Sequence, residues 1–159
     1  MSTGPNLAEF NWGILRHDWD DPRIADFQNN VDRVNALAER TDGFIWRLDD
    51  EAMEAAQHDP SGPLGGNPRM ASTLSVWRDA DALEHFVFNT IHHHFLSRAD
   101  EWFAPQGIRL VLWWVPAGHR PSLAEAVQAA NRLKTEGHSA QAFGWRYLCK
   151  HRHADKASR

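Results

Sequence analysis

Hydrophobic positions recur along this chain with two periods, and the switches between them mark its elements. Leu7–Leu15 alternates, with Ala8, Phe10, Trp12 and Ile14 on one face, which predicts a first strand. Asp20-Asp21-Pro22 opens a helix, with Asp21 as N-cap and Pro22 at the first helical position. Ile24, Phe27, Val31, Val34 and Leu37 follow at helical spacing, Asn30, Asp32, Arg33 and Glu39 take the wet face, and Gly43 stops the helix. Phe44–Leu48 reads as a second strand. Asp49–Met70 is a long connection, Ala-rich at first and then DPSGPLGGNPR, whose Pro and Gly density predicts no regular structure in its second half. A loop of that length either serves function or is a surface excursion.

Ala71–Trp77 is a third strand. Asp79 or Asp81 caps a second helix with Leu83, Phe86, Val87 and Ile91 on one stripe, and helix continues or restarts through His92–Phe103. Gln106-Gly107 turns into the stretch Arg109–Pro121, RLVLWWVPAGHRP. There Leu110, Leu112 and Trp114 point one way and Val111, Trp113 and Val115 the other, so this fourth strand is apolar on both faces. A half-solvated sheet would alternate; this one must be covered on both sides. Pro116 ends the strand, and Ala117-Gly118 turns to leave His119 and Arg120 at its carboxyl end. Ser122-Leu123-Ala124-Glu125 has the capping-box pattern. It opens a third helix with Leu123, Ala126, Val127, Ala130 and Leu133 inward and Gly137 as the stop, and Ala142–Leu148 forms a last short strand.

This order predicts an α+β protein with a ferredoxin-like antiparallel sheet and helices on one face. Such a layout leaves the second apolar face of the first and fourth strands bare. Self-association through the sheet, as a homodimer, is then the economical cover. A single domain over residues 1–149 is expected, followed by a polar, basic and disordered tail at 150–159.

Composition narrows the function. With 21 acidic and 17 basic residues the net charge is −4, which argues against a nucleic-acid partner. The lone Cys149 rules out an internal disulfide framework. Met1–Asn6 lacks the pattern of a secretory signal, and no apolar run approaches the ~18 residues of a membrane helix. A cytoplasmic protein without membrane contact is the expectation.

Leu74–Trp77 (LSVW), His92, Glu101–Phe103 (EWF) and Leu112–Pro121 (LWWVPAGHRP) together resemble a family of uncharacterised bacterial proteins. That family lies in the dimeric α+β-barrel superfamily, beside the antibiotic-biosynthesis-monooxygenase-like proteins. The resemblance runs from Asp20–Arg23 to the Ala142-Phe143 region. It implies a ferredoxin-like fold and a dimeric α+β barrel whose two sheets face each other. The superfamily includes cofactor-independent quinone-forming monooxygenases, haem-degrading monooxygenases and polyketide cyclases, as well as members without demonstrated catalysis. Its haem-degrading members use an Asn on the first strand, and a Trp and a His on the helix after the third. Asn11 fits the first role, whereas Phe86 stands at the Trp position and Leu96 near the His position.

Three consecutive histidines, His92-His93-His94, point about 100° apart on a helix and cannot share one metal. His85 and His92 lie two turns apart, about 10 Å, too far for joint ligation. No metal and no cofactor are therefore expected. His85, Phe88 and His92 share a face opposite the Leu83–Phe86–Val87 stripe, which makes His92 a pocket-lining acid or base near neutral pH. Trp77, Trp102 and Trp114 offer flat surfaces to a planar substrate, or else fill core and interface. Asn11 and His119 could hold substrate oxygens; Arg98 either joins the substrate site with Phe88 or simply pairs with Glu101. The leading expectation is a small dimeric enzyme acting on a planar or aromatic metabolite in a pocket between sheet and helices, by cofactor-independent oxygenation or cyclisation. A non-catalytic small-molecule-binding or haem-binding dimer is the alternative.

Overall fold

The computed structural model describes residues 4–157, with side chains through His151. Its strands are β1 (Asn6–Ile14), β2 (Phe44–Arg47), β3 (Met70–Trp77) and β4 (Leu110–Val115). The helices are α1 (Ala25–Arg40), α2 (Asp50–Gln57), α3 (Ala80–Asn89), α4 (Ile91–Leu96), α5 (Ala99–Trp102), α6 (Leu123–Glu136) and α7 (Trp145–Ala157). The strands form one antiparallel sheet in the order β2-β3-β1-β4. That is the ferredoxin-like arrangement, with the first strand central because α1 and α3 carry the chain across to non-neighbouring strands.

Local chemistry starts the helices where the sequence places them. Asp21 caps a single 3-10 turn at Pro22–Ile24, its carboxylate accepting from the Arg23 backbone N–H, and α1 follows without a break. Asp79, rather than Asp81, caps α3 through the Ala82 N–H, and Asp49 caps α2 through that of Ala52. Ser122 caps α6 by accepting from the Glu125 N–H. The first half of the long connection is thus helical, and Pro and Gly leave its second half irregular.

Register divides the sheet into two faces. Leu7, Glu9, Asn11 and Gly13 of β1 lie beside Trp77, Ser75, Thr73 and Ala71 of β3, with Trp114, Leu112 and Leu110 of β4 on the other side. This face looks toward α1, α3 and the start of α7, and Leu7, Trp77, Leu83, Phe86, Leu112, Phe143 and Leu148 pack there as one buried cluster. Ala8, Phe10, Leu74, Val76, Val111, Trp113 and Val115 form the opposite face and pack on Ala126, Ala129, Ala130 and Leu133 of α6 and Met53 of α2.

The second cluster corrects the reading of the sequence. The two-faced apolar strand does need cover on both sides, but α6 and α2 of the same chain supply it. Helices therefore lie on both faces, and the β4 pattern does not by itself require a second copy. The expected last strand also shortens. Phe143 alone bridges to the sheet, exchanging two backbone hydrogen bonds with Leu112 at 2.8 and 2.9 Å, while Ala142 bridges locally to Ser139, and α7 starts two residues after Phe143. Helix α7 continues to Ala157, where a disordered tail was expected; positions 158 and 159 lie outside the described residues.

Gly13 is required by a close approach rather than by its backbone. A Cβ there would run into the ring of Phe103, which packs edge-on against Phe27 at 5.1 Å. Gly13→Ala is expected to destabilise the fold by about 1–3 kcal/mol, the usual cost of overpacking, as read from thermal melts.

Candidate functional site

A cavity of about 1220 Å³ lies between the first face of the sheet and helix α1. It exists because α1 stands off the strands. Only Ala38 of that helix is buried, while Phe27, Val31 and Val34 are half-buried walls of the cavity. Opposite them the sheet is polar where a core would be apolar: Glu9, Asn11, Thr73 and Ser75 sit together at its centre.

Glu9 is the focus of this group. Its side chain is buried, with the residue 5% exposed. Asn11 donates from Nδ2 to one carboxylate oxygen, and the Ser75 hydroxyl donates to the other at 2.9 Å. Trp77 donates from Nε1 to Ser75 Oγ at 3.0 Å and so orients the hydroxyl. No cation is among these partners. Burial raises the Glu9 carboxyl from its ordinary 4.5 to about 7, against the two hydrogen bonds that favour its charged form. A group so placed exchanges a proton near neutral pH.

His92 enters the cavity wall through a break in the helix. Thr90 is extended between α3 and α4, its hydroxyl donating to the Phe86 carbonyl at 2.6 Å and accepting from the His92 N–H at 3.2 Å. The break undoes the helical face expected to join His85, Phe88 and His92, and it turns His92 onto Phe86 with ring centres 4.9 Å apart. Phe86 in turn stacks on Trp77 at 5.2 Å. Burial lowers the His92 pKa, which favours a neutral ring at pH 7. The Val87 carbonyl, 3.3 Å from Nδ1, assigns the proton to that nitrogen and leaves Nε2 an acceptor.

Of the residues singled out in the sequence, Asn11, Trp77, Phe88, His92 and Trp102 line the cavity. Phe88 is 42% exposed and packs edge-on against Trp145, which places it at the mouth. Trp102 is buried against Phe27, with their ring centres 5.5 Å apart. Arg98 lies outside the cavity lining. Its guanidinium covers the Trp102 ring at 4.7 Å and is held by Glu101 at 2.8 Å and Asp26 at 3.1 Å, so it braces a wall instead of meeting a substrate. Trp114 packs on Phe143 and does not line the cavity.

His119 is also removed from the site. The carboxyl end of β4 pairs with Asn6, at the far end of β1 from Gly13, and the following loop leads to α6 on the opposite face. There His119 Nε2 meets Glu125 at 2.7 Å, and Glu125 accepts from Trp113 Nε1 at 2.9 Å. Among the described residues no three His, Cys, Asp or Glu side chains form a metal-ligating group. No helix among them is long and apolar enough to cross a membrane.

Glu9 and Ser75 were not singled out from the sequence. Alternation puts Glu9 on the same face of the first strand as Asn11, a face expected to need cover, but of the two only Asn11 is a candidate in the sequence. The signal that places them inside lay in β4: a strand apolar on both faces implies that its neighbour is buried on both faces as well.

Fold and site define an α+β protein with a ferredoxin-like sheet and, on the α1 side of that sheet, a cavity holding a buried carboxyl. The chain belongs to the family described as a domain of unknown function (DUF3291), which it matches over residues 6–159. Among solved structures, that of NE2512, a protein of unknown function from Nitrosomonas europaea, is similar. Its TM-score is 0.49 at 12% identity, covering 76% of this chain and 99% of that chain. No curated protein matches the chain.

Proposed function

We propose that the protein is an enzyme acting on a planar, aromatic small molecule, with Glu9 as its acid–base group. One observation carries this reading: a buried carboxyl on the cavity wall whose partners are the neutral donors Asn11, Ser75 and, through Ser75, Trp77. Without a cation to hold it ionised, Glu9 is poised to take a proton from an acidic C–H or O–H of a bound ligand. The bond electrons stay on the ligand and the proton moves to a Glu9 oxygen. Asn11 and Ser75 keep the carboxyl in place, the stacked, buried rings of Trp77 and Phe86 back this wall of the cavity, and His92 is a second proton acceptor. Cofactor-independent oxygenation begins with this step, since a ligand anion formed in a dry site can pass electrons to O₂; cyclisation begins with it too. We propose the cytoplasm as its location and a homodimer as its assembly, the latter as the family resemblance implies. With α6 on the second face, the dimer contact cannot be a bare sheet.

Oxygen uptake with 1,4-dihydroxynaphthalene tests the reading. Turnover above the buffer rate is expected for the wild type, with a fall of about 100-fold or more in Glu9→Gln, as for loss of a general base. Binding without any turnover by the wild type would reduce the cavity to a binding site.

A further inference from the structure

We infer that the ligand ring carries two adjacent hydroxyl groups, one meeting Glu9 and its neighbour held between Asn11 and Thr73. The inference rests on the reading above that the cavity binds a planar aromatic molecule at Glu9, and it adds the substitution pattern of the ring.

Strand register places the four side chains concerned. Glu9 and Asn11 stand two residues apart on β1 and so share a face. Ser75 lies directly across from Glu9 and Thr73 directly across from Asn11 on that same face, and all four residues line the cavity. The Glu9–Ser75 row is well supplied by the protein. The carboxylate accepts from Asn11 Nδ2 and from the Ser75 hydroxyl, and the Ser75 oxygen accepts from Trp77 Nε1. Each carboxylate oxygen keeps a second lone pair for a ligand.

The Asn11–Thr73 row differs. A carboxylate only accepts, so the amide nitrogen of Asn11 faces Glu9 and its carbonyl oxygen Oδ1 is turned away. Among the described residues every fully buried side-chain nitrogen or oxygen has a hydrogen-bond partner. Asn11 Oδ1 and the Thr73 hydroxyl have no protein partner there, so both are open to the cavity that their residues line. An acceptor facing a hydroxyl is the complement of a second hydroxyl. A ligand O–H donates to Asn11 Oδ1 while its oxygen accepts from the Thr73 O–H. An ether has no proton to give Asn11. A carboxylate would need a cation, and Arg47, which pairs with Ser75 across the sheet, is spent on Glu39 at 2.9 Å and Asp50 at 2.8 Å.

Spacing follows from the contact between Asn11 and Glu9. Their side chains touch, so the ligand groups that meet Glu9 and Asn11 Oδ1 sit on neighbouring ring atoms. One hydroxyl gives its proton to a Glu9 oxygen and keeps the bond electrons; its neighbour stays protonated between Asn11 and Thr73. A ring with one hydroxyl, or with two at distant positions, engages Glu9 alone, which is all that the reading above requires.

Calorimetric titration with 2,3-dihydroxynaphthalene, 2,7-dihydroxynaphthalene and 2-naphthol tests this. Wild-type protein is expected to bind the adjacent diol about fivefold or more tightly than either other probe, as two added hydrogen bonds between neutral groups imply. Thr73→Val keeps the branched shape and the partners of Glu9. It is expected to cut that preference about threefold and to leave 2-naphthol binding unchanged. Equal affinity of the adjacent diol and 2-naphthol, or of the two diols, overturns the inference and leaves the cavity reading standing. Equal weakening of all three probes by Thr73→Val does the same. Failure of all three to bind the wild type at millimolar concentration overturns both. Should Thr73→Val not fold, the wild-type ratios decide.

Discussion

Trp77→Ala is expected to cost about 3–5 kcal/mol of stability, a fall in Tm of roughly 10–15 °C for a chain of this size. Trp77 is 1% exposed and belongs to the cluster under α3. Its ring stacks on Phe86 at 5.2 Å and meets Phe44 edge-on at 5.4 Å. Removing it leaves a void between sheet and helix that rigid neighbours cannot fill, and it takes away the donor that orients Ser75. Trp77→Phe separates the two effects. The phenyl ring keeps most of the packing, so a loss of about 1–2 kcal/mol is expected, reporting the lost hydrogen bond together with the reduced volume. Denaturant melts of the two variants check this. A Trp77→Ala cost no larger than that of Trp77→Phe would mean that the site collapses around the smaller side chain.

Glu9→Gln is expected to stabilise the protein at pH 8 and to reverse how its stability responds to pH. In the folded protein the Glu9 carboxyl lies at about 7 against an ordinary 4.5, so between these values the native state holds a proton that the unfolded chain has released. Its contribution is fully present below 4.5 and is lost as pH rises through about 7, for a total of about 3 kcal/mol. His92 acts in the opposite sense. Its lowered pKa makes the native state release a proton first, so its contribution is present above the ordinary histidine range and is lost as pH falls through the lowered value. In the wild type the two partly cancel where they overlap. Glutamine cannot ionise and retains a carbonyl to accept from Asn11 or Ser75, so in Glu9→Gln only the His92 effect remains and stability rises with pH across that interval. The acid limb is separate: Asp21, Asp42, Asp59 and Glu101 are all lowered by hydrogen bonds to their neighbours and respond only at lower pH. Urea midpoints from pH 5 to pH 8 check the signs. A wild-type midpoint that follows that of Glu9→Gln throughout would show Glu9 to be an ordinary carboxylate.

These two residues also show where a reading of the sequence stops. Trp77 was legible both as part of a strand and as a candidate wall, because a large aromatic in an apolar run has few places to go. Glu9 was not, because alternation in one strand gives the two faces but not what covers them. The helix break at Thr90 was equally hidden. Apolar spacing through Leu83–Ile91 fits one continuous helix, and only the hydrogen bonds of the Thr90 side chain to Phe86 and His92 show where the chain turns. His119 lies apart from the cavity for a third reason: it does follow an aromatic strand, but the following loop carries it to the other side of the sheet.

The sequence by itself determined the four strands, the caps of the main helices and the two-sided burial of β4, since these follow from period and from side-chain hydrogen bonding within a few residues. Tertiary structure alone decided that α6 covers the second face, that α1 stands off the first, and that Glu9, Asn11 and Ser75 meet in the space between. Those outcomes depend on which distant segments compete for the same apolar surface, and no local pattern of residues carries that information.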